Sequence, residues 1–341
     1  MWQVKPINAR DLPALEALLH ANPLRLSTLP PVRDQLAERI AAAQQGFAGL
    51  DSMATLLFGL HDEDDNLHGV CGIQPYAGGD EPFYSYRIDE LVHASRHLGI
   101  NQRQSALYLS HELTGLTSLC SFSLTAALRP TPVFNLLSRS RLLYIAAHRH
   151  AFADELICEI QGIWDGAGQS VFWKSVGELF FGLDFITADH QCSLHGKTVI
   201  AELLPPYPIY TTLLPETVQD AIGQAHPATQ RTLNWLAYEG LAKTRFVDPF
   251  DAGPTFRGPL DELTSMQAIR TVSEVVTGTV EHPQTWLVSQ GEGVDFRCAM
   301  VTGEVRADGL RVTEPNAMIN GAPSLILPLE PDAMRLPQEG V

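Results

Sequence analysis

SLCSFSLTAALRPTPVFNLLSRSRLLYIAAHRH, residues 118–150, holds the unit on which the fold turns. Ser118–Leu124 is uncharged and largely apolar, which reads as a buried strand. Val133–His150 then places Leu136, Leu137, Ser140, Leu143 and Tyr144 at helical spacing. Between them Arg129–Asn135, RPTPVFN, must turn the chain from strand to helix through two prolines. A helix start of this kind is a natural anion site, because its first N–H groups have no partner within the helix. Proline has no N–H to offer there.

Upstream, WQVKPI (2–7) predicts a strand, and Asp11 the cap of a helix with Leu12, Leu15, Leu18 and Leu19 on one face. A second helix is expected over Val32–Phe47. Ala54–Leu60 and Leu67–Ile73 read as a hairpin closed by the acidic turn HDEDDN, and 101–113 as a helix. Downstream, Leu156–Gly162 predicts a strand and Ser170–Phe181 a helix, giving the order β-α-α-β-β-(α)-β-α-β-α. FWKSVGELFFGLDF (172–185) and LNWLAYEGLAKTRF (233–246) each join an aromatic helix end to a Gly and then a strand, so a second related unit over about 186–258 fits the pattern. Ser265–Thr277, Thr285–Ser289, Phe296–Thr302, Leu310–Val312 and Ser324–Leu329 are short β-type runs between turns. They predict a small all-β C-terminal subdomain over 259–341, separate from an α/β (α+β) body over 1–258, with a frayed tail from Pro331.

The 341 residues suffice for a large core, and 45% hydrophobic with 18% charged residues fits a globular enzyme rather than a disordered chain. A net charge of −16 argues against a nucleic-acid partner and suits a cationic small molecule. No apolar run approaches the ~20 residues of a membrane span. The start, MWQVKPINARDLPALEALL, lacks the basic, apolar and small-residue order of an export signal, so a cytoplasmic protein without membrane contact is expected. Cys71, Cys120, Cys158, Cys192 and Cys298 are scattered and odd in number, which predicts free thiols.

A second stretch, TVIAELLPPYPIYTTLLPETVQDAIGQAHPAT (198–229), couples a buried-type strand, a Pro-stiffened aromatic loop and His226 directly before a proline. It joins EPFYSYR (81–87), LVHAS (91–95), LTG (113–115), LLSRSR (136–141), FW (172–173) and DPFDAGP (248–254) in a series over nearly the whole chain. In order and spacing this series resembles the arginine N-succinyltransferases. The resemblance implies an acetyltransferase-like acyl-CoA fold over 1–258, and the element order above is that fold's order. It implies an enzyme of arginine catabolism that passes succinyl from succinyl-CoA, its co-substrate, to the α-amine of L-arginine, with L-ornithine as a second acceptor and no permanently bound cofactor. More narrowly it implies the α subunit of the two-chain form, and an oligomer of this chain alone or with a paralogous β chain.

Acyl transfer to an amine needs a neutral amine, donors for the oxyanion, and a proton or charge for the departing thiolate. Pro227 keeps His226 out of the α region and opens the helix that runs through Leu233 and Leu236. That puts His226 at the N-cap, where the helix dipole favours neutral imidazole. By residue type alone, a histidine that merely caps the helix is the better explanation of the position; the family motif reverses this, because it assigns its catalytic proton donor to this histidine. The family's succinyl-CoA contact on the strand maps to Phe122, with Leu124 beside it and Arg129 matching on the loop. Pro132 and Phe134 stand where the family's glycines are expected. Arg139 and Arg141, one turn into the helix, would supply charge to the cofactor in their place, or else form an exposed basic face.

A guanidinium substrate calls for a carboxylate. Glu81, Glu112, Glu202, Asp248 and Asp251 lie in or beside matching segments, with Glu112 and Asp251 preferred. His93 is a substrate-pocket candidate through its family match, and Arg87 a candidate for the donor's carboxylate. No metal site is expected, since His111–Glu112 lacks a second histidine at helical spacing and His190, Cys192 and His195 form only a loose cluster. The altered loop keeps a second reading open: a catalytically degenerate subunit that stabilises or regulates an intact paralogous chain.

Overall fold

The computed structural model describes residues 1–22, 24, 26, 28–195, 198–307, 309–313 and 323–329; the tail from Pro331 lies outside these. The chain lays down β1 (Gln3–Pro6), α1 (Leu12–Ala21), α2 (Arg33–Phe47) and the hairpin β2 (Leu56–His61) to β3 (Leu67–Gln74). Helix α2 buries Leu36, Ile40, Ala43 and Phe47 along one stripe, as its periodicity requires. Asp11 does not cap α1 with its side chain. Its carboxylate accepts from the Asn8 N–H at 2.9 Å and meets His61 Nε2 at 3.0 Å, closing a capping box one turn earlier.

Next come β4 (Ser85–Ser95) and β5 (Ile100–Ser110), paired antiparallel from Ser85–Ser110 to Ser95–Ile100. The helix expected over 101–113 is therefore a strand. Gln102, Arg103 and Gln104 favour a helix locally, but continuous pairing with β4 overrides that preference.

The unit read from residues 118–150 is present as β6 (Thr117–Leu124), α3 (Val133–Ala147) and β7 (Glu155–Glu159). An insertion follows: α4 (Val171–Ser175), α5 (Gly177–Phe181), α6 (Phe185–His195), α7 (Thr198–Leu203), β8 (Ile209–Tyr210) and α8 (Glu216–Ala221). The buried strand expected from residue 198 is the short helix α7. Its Ile200, with Leu204 beyond it, packs into a second core around Phe172, Trp173, Phe185 and Phe250. The chain returns through α9 (Gln230–Glu239), β9 (Ala242–Val247) and β10 (Pro254–Pro259). It ends with α10 (Thr264–Ala268), β11 (Arg270–Val272), β12 (Val275–Thr277), β13 (Gln284–Gln290), β14 (Arg297–Arg306), β15 (Gly309–Val312) and β16 (Ser324–Pro328). Helix α10 takes the start of the run read as strand from Ser265.

The strands form one sheet in the order β11-β16-β13-β14-β1-β2-β3-β6-β7-β10-β9-β4-β5-β8, with β15 branching off β14 and β12 pairing β15 in turn. The strands after residue 259, expected as a separate unit, continue this sheet because β14 pairs β1, with Gln3 opposite Ala299. Leu287, Phe296, Cys298 and Leu327 also share the main core with Val4, Phe58 and Leu137.

The site is positioned by β6 and β7. They run parallel but pair only at Thr117–Leu156 and Ser118–Ile157. Beyond that the ladder stops, and residues 119–124 of one and 158–161 of the other face a common cavity.

Candidate active site

The cavity between β6 and β7 has a volume of about 690 Å³. Where the ladder ends, β6 has N–H and C=O groups available to an extended ligand, as they would be to a further strand. Ser121 breaks the regularity here with φ 55°, and the register against β3 shifts between Val70 and Gly72. Such a bulge re-aims the strand at the mouth of a site.

Phe122, Leu124, Arg129, Arg141 and Asp251 all line this cavity. His226 sits at its edge, since its backbone N–H donates to Gln161 O at 2.8 Å and Gln161 and Ala228 are lining residues. It is an N-cap as expected, with Nδ1 accepting from the Ala228 N–H at 3.2 Å. That bond fixes the lone pair on Nδ1, so a neutral ring carries its proton on Nε2.

Arg139, expected at the cofactor, is elsewhere. Two residues along a helix is a rotation of roughly 200°, so Arg139 and Arg141 cannot share a face. Arg139 is buried beside α10: Nε donates to Ser265 Oγ at 2.8 Å, Nη1 donates to Pro328 O at 3.2 Å, and Glu239 lies 3.6 Å away. Its charge is satisfied within the core. Arg87 pairs with Asp89 and with Glu112, so two proposed substrate contacts partner each other, and neither lines the cavity. His93 is exposed on β4, its ring 5.9 Å from that of Tyr210.

The loop before α3 spends its donors internally. Thr131 N donates to Leu128 O, Phe134 N to Thr131 O and Asn135 N to Pro132 O, at 3.1, 3.2 and 2.9 Å. Pro130 and Pro132 have none to give. Side chains supply the positive charge instead. Arg129 donates through Nη2 to Asn22 Oδ1 at 2.8 Å and through Nε to Leu124 O at 3.1 Å. Arg231, on the first turn of α9, lies 4.5 Å over the Phe134 ring and donates to Thr131 O at 2.9 Å. Phe134 in turn packs edge-on against Phe122 at 5.2 Å. The residue that closes the backbone nest has become the platform for a cation.

Burial disfavours the charge on both Arg129 and Arg231. Neither of them, nor Arg141, belongs to an ion pair among the described residues. Partly desolvated cations without counter-ions are costly, and a bound anion removes that cost.

The same cavity holds carboxylates from other elements: Glu159 at the end of β7, Asp189 on α6, and Asp248 and Asp251 between β9 and β10. Asp251 Oδ2 accepts from Gly162 N and Oδ1 from Gly253 N, both at 2.8 Å. Burial, and after it the charge of Asp248, nevertheless pushes its pKa up to about 7. A Cβ on Gly253 would lie 2.1 Å from Ile160 O and 2.6 Å from Gly162 N, so only glycine fits this clasp. Its neighbour Ala252 holds φ 53°, a left-handed conformation that glycine adopts more readily than alanine.

The sequence reading did not single out Arg231, Ser138 or Gln161. Ser138 Oγ and both amide atoms of Gln161 line the cavity region without a partner among the described residues. For Arg231 a signal existed, five residues after His226 at the start of the same helix. Ser138 offered none, being one of two serines that alternate with arginines in LLSRSR.

A parallel strand pair that opens onto a cavity, with a long buried helix connecting the two strands, defines an acyltransferase of the acetyltransferase-like fold. A family model described as arginine N-succinyltransferase beta subunit matches residues 2–265. Subunit alpha of arginine N-succinyltransferase from Pseudomonas aeruginosa is 36% identical over 305 residues, 88% of this chain and 90% of that one. Subunit beta from the same organism is 35% identical over 314 residues, 92% of each chain. The solved structure of arginine/ornithine succinyltransferase subunit AI from P. aeruginosa superposes with a TM-score of 0.86 at 33% identity, over 97% of this chain and 99% of that one. The chain belongs to the arginine N-succinyltransferase family.

Proposed function

We propose that this chain transfers the succinyl group of succinyl-CoA to the α-amine of L-arginine. One observation carries the reading: a single cavity holds Arg129, Arg141 and Arg231, none of which is ion-paired among the described residues, and also the carboxylates of Asp248 and Asp251. A CoA thioester is a polyanion and L-arginine carries a guanidinium, so the cavity is matched in charge to both substrates at once. In this reading the pantetheine runs along β6 beyond Ser118, where the ladder stops, and the phosphates meet Arg129 and Arg231 rather than a nest of N–H groups. Asp251 takes the guanidinium. His226 handles the proton: to accept it from the ammonium, Nδ1 must release Ala228 N–H, and the imidazolium then has an Nε2 proton for the departing thiolate.

The resemblance read from the sequence favours the α-type chain of a two-chain enzyme, while identities of 36% and 35% to the two subunits favour neither. The spent N–H groups of the loop favour the second reading, a supporting subunit for a paralogous chain. The test is thiol release by the purified chain with succinyl-CoA and L-arginine, and with L-ornithine. Saturable turnover by the chain alone supports the proposal. Turnover that appears only on adding a paralogous chain gives the second reading, and none in either case rejects both.

A further inference from the structure

Apart from the exposed Arg39 of α2, the cations of this cavity fall into two groups. Arg129 and Arg231 flank the loop that opens α3. Arg141 lies two turns further along α3, 2% exposed, with its guanidinium 5.5 Å from the Phe122 ring and 5.4 Å from the Trp235 ring. It donates from Nε to Ser138 O at 3.1 Å and from Nη1 to Gly72 O at 3.5 Å, which leaves Nη2 without an acceptor among the described residues. Arg139, two residues away, has Glu239 for its charge; Arg141 has no carboxylate partner among the described residues. Ser138, one turn before Arg141 on the same face, is 0% exposed, lines the cavity, and has an Oγ with no partner.

We propose that Arg141 and Ser138 form a subsite for the distal carboxylate of the acyl group, and so select a dicarboxylic acyl donor over a monocarboxylic one. A guanidinium held between two rings, with one edge free, presents parallel N–H donors to a carboxylate. The orphaned hydroxyl beside it adds a third donor. The direction of the chain agrees: α3 runs back beneath β6 from the loop, so a ligand with its phosphates at Arg129 brings its acyl end towards Arg141. The carboxylates that line the cavity are Asp51, Asp80 and Glu81 from the segments before β2 and between β3 and β4, and Glu159, Asp189, Asp248 and Asp251 from β7, α6 and the β9–β10 loop; none comes from α3. Arg87, the earlier candidate for this role, is neutralised by Asp89 and Glu112.

The subsite rests on the proposed transferase reading, but binding tests it apart from turnover. Dissociation constants of succinyl-CoA, of butyryl-CoA (the same four-carbon acyl group with methyl in place of carboxylate) and of free CoA are measured by calorimetry on the full chain and on Arg141→Met, Arg141→Lys and Ser138→Ala. Wild type is expected to bind succinyl-CoA about 10–100-fold tighter than butyryl-CoA, the worth of charge-assisted hydrogen bonds. Arg141→Met is expected to erase that preference and leave free CoA unchanged, with Arg141→Lys between the two. Ser138→Ala removes a hydroxyl that has no bond to lose, so it folds, and it is expected to reduce the preference several-fold. Equal affinity of wild type for the two thioesters, or a preference that Ser138→Ala leaves intact along with either Arg141 variant that folds, overturns the subsite. An Arg141-dependent preference without turnover keeps the subsite and rejects the transferase reading; turnover with no preference does the reverse.

Discussion

His226 has two roles that one substitution can separate. As an N-cap it accepts the Ala228 N–H; as a proton carrier it needs a titratable ring. His226→Asn keeps a side-chain acceptor at the cap and loses the proton chemistry. It should hold the melting temperature near wild type while lowering kcat by ~10²–10⁴-fold. His226→Ala should lose turnover to the same degree and also about 1 kcal/mol of stability. Equal turnover in wild type and His226→Asn would return the residue to a purely structural role. At this scale the sequence was most informative where neighbours dictate geometry, as Pro227 does for His226. It was least informative where only the fold decides direction: LLSRSR presents two arginines, and nothing in the letters says that one is held by Glu239 and the other faces the cavity.

Asp251 belongs to the same scale and makes a prediction in pH. Its folded pKa of about 7 lies above the ~3.9 of an unfolded aspartate, so between roughly pH 4 and pH 7 the folded chain holds a proton that the unfolded chain has lost. Stability contributed by this group is present below that window and lost as pH rises through it. Asp251→Asn should therefore flatten the fall in melting temperature across pH 4.5–7. If L-arginine binds against Asp251, it draws out that proton. Calorimetry near pH 6.5 in buffers of different ionisation enthalpy should then show proton release on binding, absent in Asp251→Asn.

Among elements, the strand-loop-helix unit at 118–150 was readable because its apolar spacing survives any context. The strand β5 was not, because its Gln and Arg residues are good helix formers and only pairing with β4 makes them extended. Helix α7 misled in the opposite direction: Val199 and Ile200 are β-branched, yet Ile200 is needed in the second core. The clasp between β7 and the β9–β10 loop gives the test at this scale. Gly253→Ala must move Ile160 O or Gly162, and with them the two N–H groups that hold Asp251. It is expected to cost roughly 2–4 kcal/mol, from strain and a loosened buried carboxylate, read as a lower midpoint in urea. A midpoint within error of wild type would mean that the clasp is not tight.

Across the whole molecule, the turn-rich C-terminal third reads from its letters as an appendage, because short strands between Gly, Asp and Pro carry no record of which strand they will pair. In the fold, β14 takes the outer edge of β1, and the buried Arg139 ties α3 to Ser265 of α10 and to Pro328 of β16. Leu287, Phe296 and Leu327 lie in the same core as Phe58 and Leu137. If 259–341 were thermodynamically independent, calorimetry would show two heat-absorption peaks, and a chain ending at residue 258 would keep the melting temperature of the larger body. Shared core and shared sheet edge predict otherwise: one transition in the full chain, and a truncated chain that has lost it, because cutting at 258 uncovers β1 and strands the Arg139 guanidinium beside Glu239 without Ser265. Arg139→Met offers a milder probe of the same linkage. It leaves Glu239 buried without its cation, and should lower the single melting transition without splitting it, whereas two transitions in that variant would mean that the ends of the chain fold apart.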